Sequence, residues 1–169
     1  MAAENLVLVV DDDPQIGDLF RETLDSKDFE LISATSAAEA RIKVSERCSE
    51  IDVLVIDIHL PDEDGFALFT ELIKICPDSE VVIVTGEGTA EKAVRAMKLG
   101  AFDFIEKPFN LLEVNQTVRN AVERKRFRHL TSELSSTKRN LEAELTLKSF
   151  QIDQVRELVN FSRVVNEHL

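Results

Sequence analysis

The sequence predicts an α/β protein built on a doubly wound, five-stranded parallel sheet with a long C-terminal helix. Two observations carry that expectation. Between Leu6 and Phe109, short apolar runs alternate with stretches of helical period, as a parallel sheet covered by helices on both faces requires. From Asn110 to Leu169 the pattern changes: no Gly or Pro occurs, and apolar residues recur at helical spacing.

The strands are expected at Leu6–Val10, Glu30–Ser33, Val53–Ile56, Val81–Val84 and Phe102–Ile105. The first helix places Ile16, Leu19, Phe20 and Leu24 on one face and opens with Asp13 as N-cap and Pro14 at its first position. Ser36, with Glu39 three residues on, has the pattern of a capping box for the second. The third carries Leu68, Phe69, Leu72 and Ile73 and stops at Pro77, and the fourth carries Ala93, Val94 and Met97 and stops at Gly100. With five βα units, the commonest arrangement is the flavodoxin-like strand order 2-1-3-4-5, whose ligand crevice lies beyond the carboxyl ends of the strands. The fifth helix covers the sheet and then extends. Leu134, Leu141, Leu145, Ile152, Val155 and Val159 follow a three-four register that Lys138, Lys148 and Ser162 interrupt, a coiled-coil pattern with breaks.

Composition narrows the function. The 169 residues suit one domain, residues 1–123, with a helical extension over 124–169 for dimerisation or signalling. Residues 1–110 hold 24 acidic and 10 basic side chains, net −14, while the remainder is net +2. The first part is therefore a poor nucleic-acid binder and a good host for divalent cations. No apolar run is long enough for a membrane span and the start is not a signal peptide, so a cytoplasmic location is expected. Cys48 and Cys76 show no metal or redox spacing and read as buried free thiols.

The chemistry is expected at the strand ends. The first strand ends in Asp11-Asp12-Asp13, the third in Asp57, the fourth in Thr85-Gly86 and the fifth in Lys107-Pro108. Each alone has a plain explanation as a cap, turn or exposed charge, yet all four ends of this topology converge on one crevice. Carboxylates about 4 Å apart repel by roughly 4 kcal/mol per pair at an effective dielectric near 20, so a compensating cation is needed. Mg²⁺, hard and oxygen-seeking, suits that place and also bridges to phosphoryl oxygens. Asp57 is then placed to act as a carboxylate nucleophile, with Thr85 and Lys107 available to the phosphoryl oxygens.

The motifs VVDDDP, VIDIHLPDEDG, VVIVTGEG and GAFDFIEKPF, in this order over residues 5–123, resemble the response-regulator receiver domain of two-component signalling. The resemblance implies that Asp57 accepts a phosphoryl group from a histidine kinase or phosphotransfer protein. It also implies Mg²⁺ as cofactor, held by Asp12 directly, Asp11, Asp57 and the backbone carbonyl of His59. Thr85 and Phe104 would be the switch residues, Lys107 the phosphoryl-binding lysine ahead of a cis proline, and His59 and Glu87 the positions that tune hydrolysis. Asp13 is left as a cap, and Asp62, Glu63 and Asp64 as a solvated loop and helix start.

Two other readings bear on the same residues. An aspartate-nucleophile phosphatase would also use Asp57 and Mg²⁺, but usually has a second Asp where this chain has His59, so no turnover enzyme is expected. The basic run Arg124-Lys125-Arg126-Phe127-Arg128 allows a zipper-type DNA binder, although so short a run is more often an exposed helix face. The expected partners are a kinase or phosphotransfer protein and a second copy of the chain through the C-terminal helix, with neither membrane nor nucleic acid among them. The closing stretch LVNFSRVVNEHL reads as the approach to a sensory or output module.

Overall fold

The computed structural model describes residues 5–166, with side chains to residue 159. Its strands are β1 (Asn5–Val10), β2 (Phe29–Ala34), β3 (Ile51–Asp57), β4 (Glu80–Thr85) and β5 (Asp103–Glu106). Its helices are α1 (Pro14–Thr23), α2 (Ala37–Arg47), α3 (Gly65–Ile75), α4 (Ala90–Lys98) and α5 (Leu111–Asn166). All strands are parallel in the order β2-β1-β3-β4-β5, as the βα pattern predicts. The fifth strand starts at Asp103, one residue later than expected, although Phe102 N–H still donates to Val81.

The apolar runs are buried on both faces because successive side chains point to opposite sides. Leu8, Val10, Leu54 and Ile56 join Phe66, Phe69 and Leu72 of α3 in one core. Val7, Val9, Val53 and Val55 join Phe20 of α1 with Val114 and Val118 of α5 in the other. Helices α2, α3 and α4 thus share one face, and α1 and α5 the other. At roughly 1.5–3 kcal/mol per fully buried large aliphatic side chain, these two cores dominate the stability of the first unit.

Local capping fits the sequence in most places. Asp13 accepts from Gln15 N–H at 2.9 Å, Pro14 opens α1, and Ser36 accepts from Glu39 N–H. The Glu39 carboxylate, however, reaches back to Thr35 N–H at 2.8 Å, one residue before the position a capping box uses. Gly100, at φ 95°, ends α4 in the left-handed region as expected. Cys48 and Cys76, the C-caps of α2 and α3, are not the expected free thiols but are joined as a disulfide with their Cα atoms 5.6 Å apart. Neither spacing nor motif signals the pair, because only the parallel stacking of two helices brings their ends together.

The chain divides into two compact units between Arg126 and Phe127. The second is helical throughout its described part, and Leu134, Leu141, Leu145, Ile152, Val155 and Val159 are all exposed on it. Ser162 and most of LVNFSRVVNEHL lie beyond the residues whose side chains are described.

Candidate functional site

The carboxyl ends of β1 and β3 lie side by side, Val10 paired with Ile56, so Asp11, just after β1, meets Asp57, the last residue of β3. Both are buried to 4% exposure, while Asp12 is exposed. One carboxylate oxygen from each of Asp11, Asp12 and Asp57 falls within 4.8 Å of the other two, a spacing that one small cation can bridge. Lys107 follows β5 and reaches into the same place, its Nζ 2.5 Å from Asp11 Oδ2 and 2.7 Å from Asp57 Oδ2. The peptide bond Lys107-Pro108 is cis.

Electrostatics follow from that packing. Burial raises the Asp11 carboxyl above its ordinary value, and the hydrogen bonds from Lys107 and Asp13 N–H only partly offset it. Burial opposes the charge of Lys107, but hydrogen bonds to Asp11 and Asp57 outweigh it and hold the ammonium above its ordinary range. The ammonium is thus a fixed cation that compensates two buried carboxylates. Asp57 Oδ1 also accepts from His59 N–H at 2.9 Å, so both of its oxygens are oriented.

Gly65 makes this geometry possible. Its N–H donates to Ile58 at 2.8 Å, and a Cβ at this position would stand 2.0 Å from the Asp57 carbonyl oxygen. The first turn of α3 can approach the end of β3 only without a side chain there.

The remaining predicted residues ring this centre. Thr85 is fully buried at the end of β4, and its Oγ1 accepts from Glu87 N–H at 3.2 Å, which leaves the hydroxyl proton available to another acceptor. Its carbonyl accepts from Lys107 N–H at 2.7 Å, tying the ends of β4 and β5. His59 Nε2 and Glu87 Oε2 are 4.0 Å apart, and Lys92 lies 3.4 Å from the same carboxylate oxygen. Phe104 sits on β5 opposite Ile83, half-buried against the core shared by α2, α3 and α4. Asp13 is a cap, as expected.

Other residues hold the surroundings in ways that local sequence does not reveal. Asp62, exposed as expected, also caps α2 from 25 residues away by accepting from Ala37 and Ala38 N–H at 2.9 Å each. These backbone donors lower its carboxyl below the ordinary value. Glu63 and Glu71 share the Arg41 guanidinium. Asp64 caps α3, and Arg95 of α4 stacks on Phe66 at 4.2 Å. The basic run within α5 is largely exposed, as expected, but three of its cations are partnered: Arg124 bonds Glu80, Lys125 bonds Asp52 at 2.8 Å, and Arg126 bonds Asn5 at 3.1 Å. Three consecutive cations are therefore anchored at the amino ends of β4, β3 and β1.

Residues 7–119 match the family described as the response regulator receiver domain. The C4-dicarboxylate transport transcriptional regulatory protein DctD of Rhizobium meliloti is 36% identical over 143 residues, which cover 85% of this chain and 30% of that protein. A putative response regulator NtrX-like of Rickettsia conorii is 38% identical over 106 residues, 62% of this chain and 22% of that one. Among solved structures, NtrX from Brucella abortus superposes with a TM-score of 0.71 at 35% identity, covering 79% of this chain and 30% of that chain. A receiver domain protein from Clostridium thermocellum superposes at 0.65 with 31% identity, covering 73% of this chain and 98% of that one. The chain thus spans about a third or less of the curated relatives it matches.

Proposed function

The chain belongs to the response regulator receiver domain family, and from that premise we propose that it accepts a phosphoryl group on Asp57 from a histidine kinase or phosphotransfer protein in a Mg²⁺-dependent reaction. One observation supports this above the rest: three carboxylates gathered within 4.8 Å beside a lysine that already contacts two of them. A carboxylate cluster held only for structure gains nothing from leaving an exposed Asp12 at its mouth.

A carboxylate oxygen of Asp57 forms the new O–P bond as the donor's bond to phosphorus breaks, and the donor leaves with that electron pair. The Lys107 ammonium, held in place before the reaction, pairs with a phosphoryl oxygen as negative charge gathers there. The Thr85 hydroxyl donates its remaining proton to another. Mg²⁺ held by Asp11, Asp12, Asp57 and the His59 carbonyl would supply the remaining charge neutralisation. His59 and Glu87, near the crevice mouth, set how readily water reaches the acyl phosphate. The acyl phosphate is a signal and not a turnover intermediate, because His59 stands where a phosphatase places its second Asp.

The signal leaves through the α4 and α5 side. Thr85 moving toward the phosphoryl group changes the room available to Phe104 on the neighbouring strand, and helix α5 carries the change into the C-terminal unit. There the exposed stripe from Leu134 to Val159 pairs with a second copy of the chain in a parallel dimer. One of the relatives, DctD of Rhizobium meliloti, is named as a transcriptional regulatory protein, and this chain corresponds to the receiver portion of such a protein. DNA contact through Arg124, Lys125 and Arg126 is disfavoured by their engagement with Glu80, Asp52 and Asn5. The test is incubation with acetyl phosphate and Mg²⁺: the full chain is retarded on a phosphate-affinity gel, whereas Asp57→Asn runs unchanged.

A further inference from the structure

We propose that Cys48 and Cys76 form a reversible thiol–disulfide modification site whose co-reactant is a low-molecular-weight thiol or its disulfide. The two residues are 28 apart in sequence and cap the C-terminal ends of α2 and α3. Their Cα separation of 5.6 Å lies within the range that a disulfide spans without backbone movement. Two helices packed on the same sheet face thus end with their sulfurs adjacent.

The two sulfurs differ in access. Cys76 is 2% exposed, whereas Cys48 is half-buried and lines an open cavity of about 470 Å³ together with Ile75, Pro77 and Lys125. A small thiolate entering that cavity meets the Cys48 sulfur first. The Lys125 ammonium, bonded to Asp52 at 2.8 Å, shares the cavity wall with Glu46 and Asp78, so access and not charge brings the visitor to Cys48.

The position also suits the reduced state. Cys48 Sγ lies 3.2 Å from the Ile75 carbonyl oxygen. A disulfide sulfur has no proton to donate there, but a thiol has, so reduction exchanges the bond to Cys76 for a hydrogen bond to Ile75 at the same place. The exchange balances as follows. The Cys48 thiolate attacks one sulfur of an oxidised small disulfide, releasing one small thiol and forming a mixed disulfide. Cys76 then attacks the Cys48 sulfur and releases the second small thiol, so two electrons and two protons pass from the protein to the two released thiols.

The consequence falls on α2. Its first turn is bonded to Asp62 of the loop after β3, and its middle is joined through Arg41 to Glu63 and to Glu71 of α3. The Cys48–Cys76 bond adds a covalent restraint at its last turn, and reduction removes it while Arg47 still bonds Glu30 and Val44 stays buried. Oxidation thereby stabilises the fold by closing a loop in the unfolded chain and by restraining the end of α2.

The full chain is equilibrated in glutathione buffers of varied reduced-to-oxidised ratio, quenched in acid denaturant and alkylated, and its intact mass is measured. The expected result is a single transition from a single-chain mass with neither cysteine alkylated to one with both alkylated, accompanied by a fall in melting temperature on reduction. Cys48→Ser, and separately Cys76→Ala, abolish the difference in melting temperature between oxidising and reducing buffers. Alkylation of both cysteines at every ratio, a bridge that survives excess dithiothreitol, or a bridge found only between two chains on a non-reducing gel would each overturn the proposal.

Discussion

Lys107 Nζ lies 2.7 Å from Asp57 Oδ2, so the residue proposed to accept the phosphoryl group already rests against the cation proposed to steady it. The same ammonium holds Asp11 at 2.5 Å, which makes it a built-in counter-ion for the cluster. Mg²⁺ is therefore expected to raise the melting temperature of the full chain, because a ligand that binds only the folded state stabilises it by mass action, by about 2.7 kcal/mol at a hundredfold excess over Kd. Asp12→Ala loses that rise. Lys107→Ala melts lower without Mg²⁺, since two buried carboxylates then face each other uncompensated, and gains more from the metal than the wild type does. Differential scanning calorimetry with and without MgCl₂ decides it, and an unchanged Mg²⁺ response in Asp12→Ala would count against the metal assignment.

Gly65→Ala is expected to damage the site from behind. Its new methyl would meet the Asp57 carbonyl oxygen at 2.0 Å, and only a shift of α3 or of the end of β3 relieves that contact. Overpacking of this kind costs about 1–3 kcal/mol or more. Urea unfolding should show the loss, and the folded fraction should accept phosphate from acetyl phosphate more slowly than the wild type. A variant of wild-type stability and rate would mean that the backbone there yields freely.

Arg124→Ala separates stability from chemistry. The Glu80 side chain is 1% exposed and bonded to Arg124 at the end of the sheet remote from Asp57. Removing a charged hydrogen-bond partner from a buried carboxylate costs about 1.5–3 kcal/mol, so the urea midpoint should fall while Asp57 phosphorylation of the folded protein persists. Loss of phosphorylation without loss of stability would show that this part of α5 reports directly on the site.

The C-terminal unit is expected to make the chain a dimer. Light scattering of the full chain at tens of micromolar should give twice the chain mass, and a chain ending at Arg128 should be a monomer that still accepts phosphate. A monomeric full chain, with or without beryllofluoride, would rule out the helix pair.

Much of this was legible in the sequence because the strands are buried on both faces: runs such as Val53–Ile56 have no polar interruption, and their order follows from the number of βα units. The strand ends were less certain, since Ile51 and Asp57 extend β3 past polar flanks and β1 carries an irregularity between Leu6 and Val7. The candidate site was legible for a different reason: Asp11, Asp12, Asp57 and Lys107 each sit at the end of a strand, and the topology alone brings those ends together. Long-range pairings had no local signal. Asp62 caps a helix 25 residues back, Arg124 meets Glu80 from 44 residues away, and Cys48 meets Cys76 across 28. No periodicity or motif encodes such partners. They follow only from where the elements end in space.

Phosphorylation of Asp57 is read out by trapping the acyl phosphate. The full chain, treated with acetyl phosphate and then with borohydride, converts a phosphorylated aspartate to homoserine, which peptide mass mapping locates. Homoserine is expected at position 57 alone, present with Mg²⁺ and lost with a chelator. Homoserine at Asp11 or Asp12, or labelling of Asp57 that is indifferent to chelation, would contradict it.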